Sequence, residues 1–221
     1  MTAVFRCSMK KYDYIIWDFN GTLLNDVETG IWSVNQLLSQ RGLATIDSVE
    51  HYRKIFRFPI IEYYRGLGFD FNAEPYEELA PKWVELYLQR VKNATLCDGV
   101  EEALEYIKKQ GIRQSVLSAT EIGMLIRQLS DLGIKDYFEE ILGLDNIHAG
   151  SKLSLAYNWG ERHQGVSVLL VGDTDHDAET ARVLGADCIL VSNGHQSEEY
   201  LKTLGVPVVN DLSQFLKIAF L

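Results

Sequence analysis

The hydrophobic positions of this chain show two textures. From Asp98 onward, short apolar runs alternate with stretches of helical spacing, whereas residues 27–93 show helical spacing alone. One short run, residues 13–18 (DYIIWD), precedes both. It ends in a carboxylate and meets a Gly-containing turn over residues 19–26, so it predicts a buried strand delivering side chains to its C-terminal end. Asp26 then reads as the N-cap of a helix with Val27, Ile31, Val34, Leu37 and Leu38 on one face. Tyr76–Val91 is the longest helical stretch of the block.

In the second texture, Asp98 reads as the cap of a helix carrying Val100, Leu104 and Ile107, with Gly111 as its stop. A strand at 113–117, a helix at 121–132 ended by Gly133, and a weaker strand at Glu140–Leu144 follow. Next come a helix at 152–163, a strand at 166–171 (VSVLLV) and a helix at Asp175–Leu184 stopped by Gly185. Strands at Asp187–Val191 and 206–209 and a helix from Asp211 complete the series. Alternation with short links predicts the α/β class: a doubly wound parallel sheet, covered on both faces and joined by right-handed crossovers. The helical block interrupts that alternation straight after the first strand. It is therefore read as an inserted all-helical domain, residues 27–93, within a core formed by residues 1–26 and 94–221.

Composition narrows the function. The chain has 221 residues, 47% hydrophobic and 24% charged, which suits a well-cored globular protein. Its net charge of -10 and the absence of any long Lys/Arg run argue against nucleic acid and anionic membranes as partners. A local cation and a few basic groups can still hold a small phosphorylated ligand. Cys7, Cys97 and Cys188 are far apart with no CxxC pair, which predicts free thiols in a reducing cytoplasm rather than a zinc or disulfide framework. The apolar run at Tyr14–Trp17 is too short for a signal core or a membrane span. Met9 offers a second possible start, so residues 1–8 are read as a tail.

Ligands of such sheets bind beyond the carboxyl ends of the strands. The polar residues expected there are Asp18 and Asn20, Ser118, and Asp173 with Asp177; Lys152 precedes a helix in the same half of the chain. Hard carboxylate oxygens suit Mg²⁺. A carboxylate beside the metal can attack phosphorus, while Lys152 and Ser118 would hold the transferred oxygens.

Residues 18–23 (DFNGTL), Ser118 at the end of VLS, Lys152 and residues 172–177 (GDTDHD) resemble, in order, the four motifs of the haloacid-dehalogenase superfamily. The insertion lies where the phosphoglycolate-phosphatase-like branch of that superfamily places a helical cap. The resemblance spans nearly the whole chain. It implies an Mg²⁺-dependent phosphatase acting on a small phosphorylated metabolite as a cytoplasmic monomer or homodimer. It makes Asp18 the nucleophile and a metal ligand. The backbone carbonyl of Asn20 and the Asp173 carboxylate complete the protein's share of the metal shell, with Asp177 orienting Lys152 or a metal-bound water. Ser118 and Lys152 hold the phosphoryl group, Thr22 steadies the first loop, and Ala119 and Arg57 stand with the substrate-binding residues.

The departure from the family pattern is Asn20, where most phosphatases of the superfamily carry an acid/base Asp. A neutral amide cannot move that proton, a device typically contributing about 10² to 10⁴ in rate. Substrates with good leaving groups, an acid supplied by the insertion, or phosphometabolite binding without rapid turnover would each accommodate the change. Lys54 is the candidate imine-forming lysine of a phosphonatase-like alternative. A second departure is Leu153, where the family usually has Pro after the lysine. Asp26 is expected to cap a helix rather than substitute for the missing acid. His176 is expected in an exposed loop, His51, Arg53 and Arg57 on the surface or in packing, and Trp17 and Phe19 in the core.

Overall fold

The computed structural model describes residues 12–148 and 151–220. Residues 1–8, Cys7, Lys10 and Lys11 lie outside the described residues. Strand β1 (Tyr14–Trp17) occupies the middle of a six-stranded sheet. After it come β2 (Leu24–Asn25) and four helices: α1 (Val27–Gln40), α2 (Val49–Ile55), α3 (Ile60–Gly66) and α4 (Tyr76–Val91). Then follow β3 (Thr95–Leu96), α5 (Val100–Lys109), β4 (Arg113–Glu121), α6 (Ile122–Asp131), β5 (Glu140–Leu144) and α7 (Leu153–Arg162). The chain continues through β6 (Val168–Gly172), α8 (Asp175–Leu184), β7 (Asp187–Val191), α9 (Glu198–Leu201), β8 (Val208–Val209) and α10 (Leu212–Phe220).

The sheet order is β5-β4-β1-β6-β7-β8, and every neighbouring pair is parallel. Its two faces follow from the period-2 geometry of β1. Ile15 and Trp17 pack with Leu104 of α5, Leu125 of α6 and Phe215 of α10, whereas Tyr14 and Ile16 pack with Trp159 of α7 and Ala178 of α8. Trp17 and Phe19 are fully buried, as expected. The four helices after β2 enclose a separate apolar cluster that includes Val34, Leu38, Tyr52, Tyr63 and Leu79.

The structure departs from the sequence reading at several element ends. The two-residue strands β2 and β3 were not expected; their antiparallel pairing, Leu24 with Leu96 and Asn25 with Thr95, joins the two ends of the helical block. Strand β4 runs on to Glu121 after an irregularity beyond Leu117, so Ser118 lies within the extended strand rather than past its end. Glu121 caps α6 by accepting from Gly123 N and Met124 N. At the start of α5 the cap position is Gly99, with φ of 81°, and Asp98 is displaced from that role. Helix α9, only four residues long, carries no readable periodicity. Cys97 and Cys188 are buried free thiols. Among the described residues, no helix is long and apolar enough to cross a membrane.

Candidate active site

Asp18 follows β1 directly, and its N–H donates to Val171 O at 2.8 Å, which ties the residue to the neighbouring strand β6. The chain then turns tightly. Phe19 O accepts from the N–H groups of Thr22, Leu23 and Leu24, and Gly21 takes a φ of 74°. A Cβ on Gly21 would lie 2.5 Å from Asp173 Oδ2, and one on Gly194 would overlap the same side chain. Two backbone segments therefore approach Asp173 as only glycine permits.

At this edge of the sheet the sequence motifs converge. Lys152 Nζ donates to Asp18 Oδ1 at 2.5 Å, to Asp177 Oδ1 at 2.6 Å and to Leu117 O at 3.2 Å. Asp177 Oδ2 accepts from Asp173 N, Thr174 N and Thr174 Oγ1, so this carboxylate both caps α8 and anchors the lysine. Asp173 accepts from Thr22 Oγ1 at 2.9 Å and from His195 N at 2.6 Å. Ligand oxygens of Asp18, Asp173 and Asp177 all lie within 4.8 Å of one another, and all three residues are buried. Ser118 and Ala119 line the cavity above them, and Ser118 Oγ accepts from Thr120 N at 3.0 Å. The N–H that a proline would lack at Leu153 donates to Ser151 Oγ.

Asn20 sits in a network complementary to an amide. Its Nδ2 donates to Asp26 Oδ2 at 2.7 Å and to Tyr87 Oη at 3.0 Å, while its Oδ1 accepts from Thr120 Oγ1 at 2.7 Å. Tyr87 Oη in turn donates to Asp26 Oδ2, and Gly21 N to Asp26 Oδ1. A carboxylate neighbour demands a donor, which fixes which end of the amide faces Asp26. This corrects the expected role of Asp26: it precedes α1, but its side chain makes no capping bond and turns into the site. His195 Nε2 pairs with Asp26 at 3.4 Å, and its Nδ1 meets Tyr52 Oη at 2.8 Å.

Among the described residues, the buried charges of the site do not balance. Asp18, Asp26, Asp173 and Asp177 are buried carboxylates facing two buried cations, Lys152 and His195. Burial, then the neighbouring Asp177, push Asp18 well above the usual carboxylate range despite Lys152. Burial lifts Asp173 to about 6, opposed by His195 and assisted by Asp177. For Asp177, burial is outweighed by Lys152 and the carboxyl is held low. The two acidic groups left under-compensated flank one spot lined by hard oxygen donors, which is the donor chemistry of a divalent cation such as Mg²⁺.

Two predictions follow from these buried ions. Lys152→Met leaves Asp18 and Asp177 without their cation and should cost about 3–5 kcal/mol at neutral pH, read as a lower urea midpoint at unchanged slope. His195 is raised from 6.5 to about 9, because the hydrogen bond and charge of Asp26 outweigh its burial. A group raised on folding stabilises fully below its unfolded value and loses that contribution as pH climbs through its folded value. In metal-free buffer, the stability advantage of the native chain over His195→Gln should shrink by about 3 kcal/mol between pH 6 and 10. Denaturant titrations across that range check it.

Other expectations are revised. His176 is buried in α8 rather than exposed in a loop; its Nε2 accepts from Lys152 N, and burial depresses its basicity. Arg57 is exposed, with its guanidinium beside Gly66 of α3 and outside the cavity lining. Lys54 is exposed and paired with Glu50 at 2.6 Å, so the phosphonatase-like alternative lacks its lysine in the cavity. His51 pairs with Asp47 on the surface. Arg53 binds the carbonyls of Gly194 and Asn193, tying α2 to the loop after β7. The sequence reading missed Asp26 as a site residue, together with Tyr87, Thr120 and His195. The only signals available were a helix-face Tyr at 87 and a His beside Gly194.

The fold and site together define an α/β enzyme architecture with an acidic, lysine-bridged centre at the carboxyl edge of the sheet. The chain belongs to the haloacid dehalogenase-like hydrolases, whose family model matches residues 15–191. It is similar to the phosphoglycolate phosphatase of Nitrosococcus oceani, 25% identical over 197 residues, covering 85% of this chain and 87% of that protein. It is also similar to tyrosine-protein kinase PtkA of Mycobacterium tuberculosis, 25% identical over 198 residues, covering 88% of this chain and 67% of that protein. A solved haloacid dehalogenase-like hydrolase from Streptococcus pneumoniae shares the fold, with a TM-score of 0.78 at 17% identity, covering 94% of this chain and 98% of the other.

Proposed function

We propose that this protein is a magnesium-dependent phosphomonoesterase that works through an aspartyl-phosphate on Asp18. The observation that carries the reading is Lys152 Nζ bridging Asp18 and Asp177 beside Asp173, at the edge where β1 and β6 end. Asp18 and Asp173, with the Asn20 main-chain carbonyl, would hold the ion; both Asp177 oxygens are engaged, which suits a supporting place behind Lys152. When bound, Mg²⁺ supplies positive charge to the phosphoryl oxygens and eases their approach to the anionic nucleophile.

An Asp18 carboxylate oxygen attacks phosphorus, the bond from phosphorus to the ester oxygen breaks, and its electron pair leaves with that oxygen. Lys152 and Ser118 neutralise and orient the transferred oxygens, where charge is spread in the transition state. Water then attacks the acyl phosphate, releasing phosphate and restoring Asp18. Thr22 keeps Asp173 turned toward the ion by its hydrogen bond. Residues 27–93 act as a cap whose helices close the substrate cavity over the α/β core. The buried free thiols fit work in the cytoplasm.

The test uses p-nitrophenyl phosphate with the purified chain. Turnover is expected with Mg²⁺ and should be lost in EDTA, and a hydroxylamine-sensitive phosphoenzyme should accumulate on rapid acid quench. Metal-independent turnover, or turnover without the labile label, would overturn the reading. The competing reading, a phosphometabolite-binding protein without turnover, draws on Asn20 and would show ligand-dependent stabilisation with no phosphate release. The retained set of Asp18, Lys152 and Asp173 weighs against it.

A further inference from the structure

The cavity above Asp18 reaches up into the helical block, and its far wall is aromatic: Phe56, Phe58, Tyr63, Tyr64, Tyr76 and Trp83. Among the described residues, the basic groups on its surface are Lys152, His176 and His195; the two imidazoles pack on Phe58 and Phe56, at the core side of the aromatic wall. Among the described residues, no arginine or lysine lines the part formed by Tyr64, Tyr76 and Trp83, since Arg57 lies over α3 and Lys54 pairs with Glu50. A substrate carboxylate placed there would be stripped of water with no cation to meet it. The cavity volume is about 160 Å³, on the scale of apolar cavities that take up a single benzene ring.

The proton inventory is the second, independent observation. Asn20 has both amide hydrogens committed to Asp26 and Tyr87. The other candidate acids on the cavity wall are also engaged. Asp26 accepts from three donors, and Glu121 caps α6. His176 is held between Lys152 N and Glu179, and His195 between Asp26 and Tyr52. Among the described residues, each of these carboxyl and imidazole groups is already committed, so none is free to hand a proton to a departing alkoxide.

Resting on the phosphomonoesterase reading, we infer that the substrate is the phosphate ester of an uncharged phenol with a single aromatic ring. Asp18 takes the phosphoryl group, the phosphorus–oxygen bond to the ring oxygen breaks, and its electron pair departs as phenolate, which collects its proton from solvent. A phenol ionises near pH 10, against roughly 16 for an aliphatic hydroxyl of water-like acidity, so it leaves without an acid. The ring packs against the aromatic wall by offset and edge contacts.

The experiment compares kcat/KM of the Mg²⁺-loaded protein for phenyl phosphate, benzyl phosphate and phosphoglycolate. Benzyl phosphate and phosphoglycolate both release an alkoxide, so their ratio reads the cavity; benzyl should lead by about tenfold or more. Phenyl and benzyl differ in the leaving oxygen, and phenyl should lead by about 10²-fold. Phosphoglycolate in front, or phenyl and benzyl alike, would overturn this inference and leave the phosphomonoesterase reading standing. Absence of turnover with every ester would instead overturn the phosphomonoesterase reading itself, and this inference with it.

Discussion

Asp18→Asn is expected to lower turnover by on the order of 10⁴-fold or more and to abolish the hydroxylamine-sensitive phosphoenzyme, because an amide of the same shape cannot form the acyl phosphate. The fold should survive, since Lys152 keeps Asp177 at 2.6 Å as its second partner. Stability should shift in the opposite direction from activity. Burial and the Asp177 charge hold the Asp18 carboxyl well above its ordinary value, so its ionised form is a cost to the metal-free protein at neutral pH. An acid raised on folding imposes that cost above its unfolded pKa and none below it. In EDTA at pH 7 the Asn variant should therefore melt higher than the native chain, and the gap should close as pH falls toward 4. Activity retained in a clean preparation, with the phosphoenzyme still present, would move the nucleophile elsewhere. This trade between stability and a strained functional group is common at active sites.

Asn20→Asp is expected to accelerate benzyl phosphate hydrolysis by about 10²-fold while barely changing phenyl phosphate. The structure gives the reason. The new carboxyl would take the place of an amide nitrogen 2.7 Å from Asp26 Oδ2. Two carboxyls at that distance cannot both ionise, so the pair retains a proton well above the usual carboxylate range. Position 20 borders the same cavity as Asp18, which puts that shared proton within reach of the departing alkoxide. The pH profile of the variant should gain an alkaline limb, its rate falling as pH rises and the shared proton is lost, that the native enzyme lacks. No gain with benzyl phosphate would show that another group already supplies the proton in the native protein. In that case the committed hydrogen bonds of His176, His195 and Glu121 would have to rearrange when substrate binds.

The legible part of the site was the part encoded as short motifs at strand ends. Asp18, Ser118, Lys152, Asp173 and Asp177 each sit next to an apolar run or a helix start, and the sheet brings them together. Asp26, Tyr87 and His195 were illegible for different reasons. Asp26 occupies a capping position, and only the turn at Phe19 to Leu24 aims its carboxylate inward. Tyr87 lies on α4 among other aromatic residues, where helical spacing alone reads as core. His195 follows β7 without a motif, and its partners come from residues 26 and 52, far away along the chain. Arg57 shows the converse case. A charged side chain in a family-like segment looked fit for substrate, but its direction depends on how α3 packs.

The sheet order and the parallel layers follow from local rules, because periods of 2 and 3.6 residues decide which face of each element is apolar and short links leave few ways to stack them. In this way the amino-acid order by itself determined the α/β core, the helical insertion and the row of acidic groups along one sheet edge. Tertiary structure alone decided that Asn20 is locked by Asp26, Tyr87 and Thr120 and that the wall formed by Tyr64, Tyr76 and Trp83 is aromatic and uncharged. The physical reason is range. Backbone pattern is set by neighbours a few residues apart, whereas the protonation and orientation of a buried polar group depend on every charge and donor packed around it, whatever its distance along the chain.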